Sequence, residues 1–191
     1  MLVGISGKIV SGKSVSAEYF KTKGFTEYSF AEPLKDIAKI FGFTDRQLYG
    51  NQSDKLQLHE YWNVSSRKFL QKVGTELFRE TLPKLLPEMN ISESIWIDLF
   101  KIKLKNSAGN YVVSDIRFLN EAEAIKKLGG IVIKLERNNS IFSKDHFEVE
   151  HQSEQQIDKI IADYTINNNG DIENLYKNIN NILSSIIVDS L

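Results

Sequence analysis

The segment from residue 7 to residue 14 constrains this 191-residue chain more than any other. Its sequence is Gly-Lys-Ile-Val-Ser-Gly-Lys-Ser, which fits the pattern G-x-x-x-x-G-K-[ST] at every position. An apolar stretch, residues 1–6, comes directly before it, and a helical pattern follows it. A strand, a tight loop and a helix in this order turn successive backbone N–H groups toward a single anion. The pattern therefore predicts a phosphate-binding loop.

Each residue type in this loop has its own task. Gly7 and Gly12 lack the Cβ atom that would block a tight turn. Lys13 is expected to reach the β- and γ-phosphates of a nucleotide, and the Ser14 hydroxyl is expected to ligate Mg²⁺. The predicted nucleotide contacts at the loop are Gly7, Ser11, Gly12, Lys13, Ser14 and Val15. An ordinary glycine-rich turn is the alternative, and the flanking strand and helix argue against it.

Short apolar runs alternate with helical patterns along the whole chain. This alternation is typical of a three-layer α/β fold, in which a parallel sheet carries helices on both faces. Strands are predicted at residues 1–6, 25–30, 111–114, 131–135 and 164–166. We expect a single domain with a core made of residues 1–30, 106–136 and 160–191, a helical insertion at 31–105 and a polar loop at 137–156.

Within the insertion, sequence patterns predict helix ends and apolar faces. Residues 90–93 resemble a capping box, and they predict that a helix begins there, with Ile95, Leu99 and Ile102 following at helical spacing. Leu70, Val73 and Leu77 form one apolar stripe of an earlier helix. In the last helix of the chain, the residues expected to face inward are Leu175, Ile179, Ile182, Leu183 and Ile186.

Composition excludes several function classes. The 24 basic and 25 acidic side chains nearly balance, which argues against an electrostatic nucleic-acid binder. The absence of cysteine excludes disulfides and thiolate metal sites. No apolar run reaches the ~18 residues of a membrane span, and no charged segment precedes the first strand. We expect a cytoplasmic protein (in the host cytoplasm if it is viral) that acts on small molecules, and the sequence leaves a homodimer open.

Candidate active-site residues follow the third and fourth strands. Asp115 ends the third strand, beside the expected position of the phosphate loop, where it could act on Mg²⁺ or its waters. A simple strand-end cap is the alternative. Arg117 lies two residues further on, and Arg137 follows the fourth strand, where it could neutralise the transferring phosphate. The chain has 19 lysines but only five arginines, and four of these five lie at motif positions where the planar guanidinium suits phosphate better than a lysine amine does. We predict no role for Arg46, and its substitution should be a silent control.

A stripe of four polar residues runs through the helical insertion. Arg67, Gln71, Thr75 and Arg79 are spaced by four, which places them on one face of a helix. A solvated helix face is the plain explanation. The alternative is a site for an acceptor phosphate, because paired guanidinium groups bind phosphate through two hydrogen bonds each.

Further features decide which class of phosphate-loop protein this is. A GTPase needs an N-K-x-D motif, which the chain lacks, and a motor ATPase is usually larger. A small kinase needs an acceptor pocket and a lid that excludes water. The insertion at 31–105 and the polar loop at 137–156 occupy suitable places, so we assign the acceptor and the lid to them.

Several segments together resemble the bacteriophage and viral-type deoxynucleoside monophosphate kinases, a branch of the P-loop nucleoside monophosphate kinase superfamily. Residues 67–76 are similar to that family's R-x-x-[LM]-Q-x-[LV]-G-T-[DE] helix, and residues 115–117 to its D-x-R strand end. The other similar segments are 30–36 after the second strand, 120–121, 151–154 with H-x-[ST]-E, and 168–170 with N-[DN]-G.

The resemblance implies ATP- and Mg²⁺-dependent phosphorylation of a deoxynucleoside 5′-monophosphate. It implies that Lys13, Asp115, Arg117 and Arg137 are catalytic, with Ser14 and Asp115 at the metal, and that Asn168 and Gly170 border the adenine. The acceptor contacts that it implies are Lys35, Arg67, Gln71, Glu76, Arg79, Arg117 and His151. A surface position with no substrate contact remains the alternative for His151.

Three other functions stay open. Dephospho-CoA kinases share a similar phosphate loop and a segment like 162–170, but they carry an Asp-x-Asp after the second strand, where this chain has residues 29–32, Ser-Phe-Ala-Glu. Animal-type phosphomevalonate kinases share the Pro-Leu-Lys and Ser-Asp-x-Arg segments. A P-loop binding module without transfer activity is the third possibility, against which the arginine positions argue.

Overall fold

The protein is described by a computed structural model that covers residues 1–91, 94–138 and 156–189. Most of the predicted lid, and His151 with it, lies outside these residues. Five strands form one parallel sheet in the order β2-β3-β1-β4-β5. Their bounds are β1 Leu2–Gly7, β2 Phe25–Tyr28, β3 Asn110–Ile116, β4 Ile131–Glu136 and β5 Tyr164–Asn167. The predicted α/β class is confirmed.

The helices alternate with the strands and fill the long insertion. They are α1 Lys13–Thr22, α2 Glu32–Ile40, α3 Asp45–Tyr49, α4 Gln52–Leu56, α5 Ser66–Lys72, α6 Leu82–Leu85, α7 Ile95–Lys105, α8 Leu119–Lys127 and α9 Ile172–Asp189. A π-helical segment, Val73–Thr81, joins α5 to α6, and a 3₁₀ turn, Pro87–Met89, follows α6. Within the described ranges, no helix has both the length and the apolar character that crossing a membrane requires.

The chain divides into two compact units. The first, which we call the sheet unit, combines Met1–Ser29 with Ala108–Leu191, and the second, the helical unit, is Phe30–Ser107. In the sheet unit, β1 is buried along its whole length, as expected for a central parallel strand covered on both faces. The core of this unit joins strand residues to α1 and α9, through residues that include Val3, Ile5, Phe20, Val112, Ile133, Ile166, Leu175 and Ile179.

The inward face predicted for the last helix is confirmed. Leu175, Ile179 and Ile182 are buried in the core of the sheet unit, and Leu183 and Ile186 pack against it. The spacing of these residues by three and four places them on one side of α9, which explains why the sequence pattern predicted the face correctly.

The helical unit has a smaller core of its own. Ala38, Phe43 and Leu48 are buried, and Phe69 and Leu70 pack against them. In the described part of the helical unit, strand-type pairing is limited to an isolated bridge between Leu58 and Ser65.

The predicted start of α7 is wrong. The helix begins at Ile95, because Ser94 is extended and its hydroxyl accepts a hydrogen bond from the backbone of Ile97. Asn90 instead ends the 3₁₀ turn in a left-handed conformation, with φ of 48°. The buried residues of α7 are Trp96, Ile97 and Phe100, whereas Ile102 is 55% exposed.

Candidate active site

Backbone conformation explains why both loop glycines are needed. Gly7 has φ of 153° and Gly12 has φ of 107°, values that L side chains rarely adopt. A Cβ atom on Gly7 would lie 2.6 Å from the carbonyl oxygen of Leu135, and one on Gly12 would lie 2.4 Å from Nδ2 of Asn168. Val10 also has a positive φ, 64°, which is strained for a β-branched residue. Strain of this kind is concentrated at functional loops.

The Lys13 amine lies against the loop that precedes it. Its Nζ donates to the carbonyl oxygen of Gly7 at 2.6 Å and to that of Lys8 at 2.7 Å. Lys8 itself forms an ion pair with Asp158 at 2.8 Å. The loop therefore holds the Lys13 charge close to the backbone that is predicted to bind phosphate.

Asn168 is attached to the loop directly. This residue is buried, and its Nδ2 donates to the carbonyl oxygen of Ser11 at 2.9 Å. Its own backbone N–H donates to Glu136 at 2.7 Å, just beyond the paired part of β4 and β5. Asn168 thus connects the end of β5 to the phosphate loop, a contact that the sequence did not predict.

Asp115 lies at the same edge of the sheet as the loop. It is the second-last residue of β3, which runs parallel to β1 with Ile116 aligned with Ser6. The Ser29 hydroxyl donates to its Oδ2 at 2.7 Å. Burial and then the negative charge of Asp115 raise the pKa of Tyr28 to about 12, so this phenol stays neutral. The oxygen donors of Asp115 and Ser14 match the hard ligands that Mg²⁺ prefers.

The backbone around Arg117 is held by two side chains. Oε2 of Glu121 accepts from the N–H groups of Arg117, at 2.9 Å, and Phe118, at 3.1 Å. Oε1 of Gln156 accepts from the N–H of Leu119 at 3.2 Å. Glu121 is only 1% exposed. Its place near the start of α8 is typical of a capping residue, so this contact could have been predicted from the sequence.

Arg137 follows β4 directly and is exposed. The backbone N–H of its neighbour Asn138 donates to Oδ1 of Asn169 at 2.8 Å. Gly170 is also exposed. The sheet unit thus brings the segment 168–170 next to both the end of β4 and the phosphate loop.

In the helical unit, the Lys35 amine already has partners. It lies 3.3 Å from Oε2 of Glu32 and 4.4 Å from the centre of the Tyr49 ring. The Tyr49 hydroxyl donates to Glu32. Burial disfavours the Glu32 carboxylate, but the hydrogen bond from Tyr49 and the charge of Lys35 outweigh it, so the pKa of Glu32 is lowered. Neither Glu32 nor Tyr49 was predicted as a site residue.

The predicted polar stripe spans two types of helix. Arg67 lies on α5 and its Nη1 donates to Oε1 of Gln52 at 3.1 Å, whereas Arg79 lies on the π-helical segment. Arg67, Gln71 and Arg79 are half-buried, and Thr75 is buried. Glu76 is exposed and forms an ion pair with Lys72.

A proline and two side-chain hydrogen bonds, one of them from a distant helix, favour the π-helical segment. In a continuing α-helix, the Pro83 ring would clash with the carbonyl of Arg79, four residues earlier. The Trp96 Nε1 donates to the carbonyl of Gly74 at 3.3 Å, and the Thr81 hydroxyl donates to the carbonyl of Glu76 at 2.7 Å. These side chains bind backbone carbonyls within the wider turns. π-Helices are rare and frequently occur at functional sites.

Comparison with known proteins assigns the family. A family model described as Deoxynucleotide monophosphate kinase matches residues 41–179. A protein of Acanthamoeba polyphaga mimivirus that carries the deoxynucleotide monophosphate kinase name is 38% identical over 188 residues, 94% of each chain. The chain belongs to the deoxynucleotide monophosphate kinase family. The resemblance predicted from the sequence is confirmed, and the protein is a phosphotransferase.

Two further relatives are less similar to this kinase. The deoxynucleotide monophosphate kinase of Escherichia phage RB69 is 25% identical over 130 residues, 66% of this chain and 47% of the phage enzyme. A dephospho-CoA kinase of Fusobacterium nucleatum is 24% identical over 201 residues, 97% of this chain and 98% of that enzyme.

The solved structures support the fold of the kinase. Shikimate kinase from Aquifex aeolicus superposes with a TM-score of 0.52 and covers 98% of this chain and 99% of its own. Its sequence identity is 14%, so this likeness concerns the fold alone. The predicted P-loop kinase architecture is therefore confirmed.

Arg46 of the kinase has a partner that the sequence did not reveal. Its Nε donates to Oδ1 of Asp54 at 2.7 Å, and the Asp54 side chain is 10% exposed. Oδ2 of Asp54 accepts from the backbone of Asn51 at the start of α4. The hydrogen bond from Arg46 lowers the pKa of Asp54, although burial opposes the shift. Arg46 therefore supports the fold of the helical unit.

Proposed function

We propose that this kinase transfers the γ-phosphoryl group of ATP to the 5′-phosphate of a deoxynucleoside monophosphate, giving ADP and the diphosphate. The observation that carries the proposal is the phosphate loop with its Lys13 amine against the loop backbone, in a chain of the deoxynucleotide monophosphate kinase family. The loop N–H groups and the start of α1 favour bound phosphate.

Residues of the sheet unit have the charges that this transfer requires. Lys13, Arg117 and Arg137 would neutralise the phosphate oxygens during an in-line displacement with no covalent intermediate. Ser14 and Asp115 would hold Mg²⁺, which supplies further positive charge to those oxygens when bound. The attachment of Asn168 to Ser11 supports a role beside the bound ATP.

The helical unit offers groups for the acceptor. Arg67 and Arg79 have the planar fork that binds a phosphate through two hydrogen bonds. We propose that they and Lys35 bind the acceptor phosphate, with Gln71 and Glu76 toward the sugar or base. His151 remains a proposed acceptor contact outside the described residues.

A test of the acceptor assignment separates the two substrates of the reaction. Arg79→Ala should raise the KM for the acceptor at least tenfold while that for ATP stays within about twofold, because a lost bidentate phosphate contact costs ~1.5–3 kcal/mol. Steady-state kinetics with each substrate varied in turn measures both values. An unchanged acceptor KM would show that Arg79 does not bind the acceptor phosphate.

One other substrate is favoured by a specific observation. The relative named dephospho-CoA kinase aligns with nearly the whole chain. Against this substrate, residues 29–32 are Ser-Phe-Ala-Glu and lack the Asp-x-Asp expected of such an enzyme.

The deciding experiment is an ADP-release assay with a panel of acceptors. The panel contains each dNMP, each NMP, dephospho-CoA and phosphomevalonate, with Lys13→Ala as the inactive control. We expect at least one dNMP to stimulate ADP release. The kcat/KM for this dNMP should exceed the values for the NMPs, dephospho-CoA and phosphomevalonate. Preferred use of dephospho-CoA or phosphomevalonate would replace the proposed acceptor, and ATP hydrolysis that no acceptor stimulates would show that the chain is not a kinase of this kind.

A further inference from the structure

Directly after β3, three successive backbone N–H groups donate hydrogen bonds to two side chains. Glu121 binds the first two, those of Arg117 and Phe118, and Gln156 binds the third, that of Leu119. All three distances lie between 2.9 and 3.2 Å. Two residues that are 35 positions apart in sequence thus fix the same three-residue turn.

Both acceptors are held in place by their surroundings. Glu121 is 1% exposed, and a buried carboxylate is stable only when its oxygens accept hydrogen bonds. The N-terminal end of α8 adds a favourable electrostatic contribution. Gln156 is followed by Ile157 and Ile160, which are 1% and 4% exposed, so the core anchors this segment. The Glu121 side chain and the backbone that carries Gln156 are therefore both anchored in buried structure.

The two acceptors change what this strand end can bind. Unsatisfied N–H groups at the start of a helix commonly bind phosphate. Here the Glu121 carboxylate already occupies that position. A substrate phosphate near this turn would therefore meet the Arg117 side chain rather than the helix N–H groups, and the position of Arg117 becomes decisive.

We propose that Glu121 and Gln156 are positioning residues for Arg117. They fix the backbone from which the guanidinium extends, so that it stays in place during phosphoryl transfer. The inference rests on the proposed function, in which Arg117 neutralises phosphate charge. Neither residue touches substrate in this account.

A double-mutant cycle tests the proposal on kcat. Glu121→Ala and Gln156→Ala should each lower kcat by about 10- to 100-fold, because misplacement by about 1 Å can cost that much. The KM for ATP should stay within about twofold, since the phosphate loop is not altered. Glu121→Gln retains an acceptor oxygen and should restore most of the lost kcat. In an Arg117→Ala background, neither alanine substitution should lower kcat further.

The chain provides a matched control. Asp163 is also a carboxylate that accepts a backbone hydrogen bond in the sheet unit, from Val132 at 2.8 Å, and it pairs with Lys126. Val132 is near the beginning of β4, so this contact lies at the amino-terminal ends of the parallel strands, whereas Arg117 follows the carboxyl end of β3. Asp163→Ala should lower the melting temperature without changing kcat in the folded enzyme.

A second readout does not depend on any substrate. NMR relaxation of the Arg117 Nε–Hε group, assigned by its loss in Arg117→Lys, should show greater mobility in Glu121→Ala and Gln156→Ala but not in Asp163→Ala. If Glu121→Ala does not fold, Gln156→Ala decides the matter. Two results would contradict the proposal: unchanged Arg117 mobility in both alanine variants, or kcat losses that add to the loss caused by Arg117→Ala. Glu121 and Gln156 would then only stabilise the start of α8. If no acceptor is phosphorylated, the proposed function fails, and the mobility result still decides the positioning inference.

Discussion

Among single residues, Lys13 combines a strong motif with a defined contact. Its amine donates hydrogen bonds to two loop carbonyls, and in the proposed function the phosphates of ATP would replace these contacts. We expect Lys13→Ala to lower kcat/KM by roughly 10³-fold or more, because charge stabilisation at the transferring group is lost. The melting temperature should change little, since both contacts are within the loop. ADP release and circular dichroism measure the two effects.

The control for this substitution is Lys21→Ala on the same helix. Lys21 is partly exposed and pairs with Glu18 on the surface of α1. Its removal takes away the same charge from the protein but nothing from the loop. Residual turnover of Lys13→Ala close to that of Lys21→Ala would contradict the proposed role of Lys13.

Arg46 leads to a prediction about stability instead of catalysis. Arg46→Ala leaves the mostly buried Asp54 carboxylate without its cation, so the melting temperature should fall while kcat in the folded enzyme is unchanged. Because the pKa of Asp54 is lowered in the folded protein, the stabilisation is present above the unfolded pKa of ~4 and is lost as pH falls through the folded value.

The measurement is therefore a pair of melting curves across pH. The difference between wild type and Arg46→Ala should be largest near pH 7 and should shrink as the pH falls below the unfolded Asp value of ~4 and through the lower folded value of Asp54. Asp54→Asn serves as the second variant, since it removes the titrating group and should abolish this pH dependence. A difference that stays constant from pH 7 down to the acid unfolding of the protein would exclude the ion pair as its cause.

At the scale of secondary-structure elements, the phosphate loop depends on the end of β5. Asn168 bonds the carbonyl of Ser11 and fills the space that a Cβ on Gly12 would need. Asn168→Ala should raise the KM for ATP about 5- to 10-fold, the effect of losing a buried hydrogen bond of ~1–1.5 kcal/mol. Kinetics with ATP and GTP as phosphoryl donors measures whether the base matters.

The two donors separate the two roles of Asn168. If the residue mainly fixes the loop, both donors should weaken by the same factor. If it contacts adenine, the preference for ATP over GTP should change. Asn178→Ala on α9 is a suitable control, because its amide bonds Asn174 on the surface.

Elements with simple periodicity were predictable, and those shaped by tertiary contacts were not. The three inner strands, β1, β3 and β4, are short and largely buried runs. The inward face of α9 follows from the regular spacing of Leu175, Ile179 and Ile182. The pattern at 90–93 failed because Ser94, the next residue, provides the cap that the structure uses. The local sequence contains both possible helix starts, the pattern at 90–93 and Ser94, and it does not show which of them the folded protein uses.

The same limit applies to the candidate site. The positions of the loop residues and of Asp115 in the fold were predictable. The loop motif occurs between a strand and a helix, and Asp115 follows an apolar run that predicts a strand. The π-helical segment could not be predicted, since an assumed α-helical period hides the effects of Pro83 and of the bond from Trp96 to Gly74. The contact between Asn168 and Ser11 joins residues 157 positions apart, which no local pattern encodes.

For the whole molecule, strand order decides which residues surround the loop. Because β1 lies between β3 and β4, its carboxyl end is flanked by the ends of both neighbours. Those ends carry Asp115 and Arg117 on one side and Arg137 on the other. The charged groups proposed for catalysis in the sheet unit therefore come together through topology, whereas the sequence separates them by more than 100 residues from the loop.

The helical unit is inserted in one continuous piece between β2 and β3. Among the described residues, the core cluster that joins the strands to α1 and α9 is built from the two segments of the sheet unit itself. We therefore expect the sheet unit to fold and bind ATP when residues 30–107 are replaced by a flexible linker. Because β2 and β3 are parallel, the linker must return along the strand length, and about 15 residues are needed.

This shortened chain should unfold cooperatively and bind a fluorescent ATP analogue, but it should phosphorylate no dNMP, because the proposed acceptor residues are gone. Fluorescence titration and thermal melting measure binding and folding. The same deletion with Lys13→Ala should fold and lose most of the binding, which ties the signal to the phosphate loop. A shortened chain that has no cooperative transition would show that the sheet requires residues 30–107, and a folded chain that still phosphorylates a dNMP would move the acceptor site out of the helical unit.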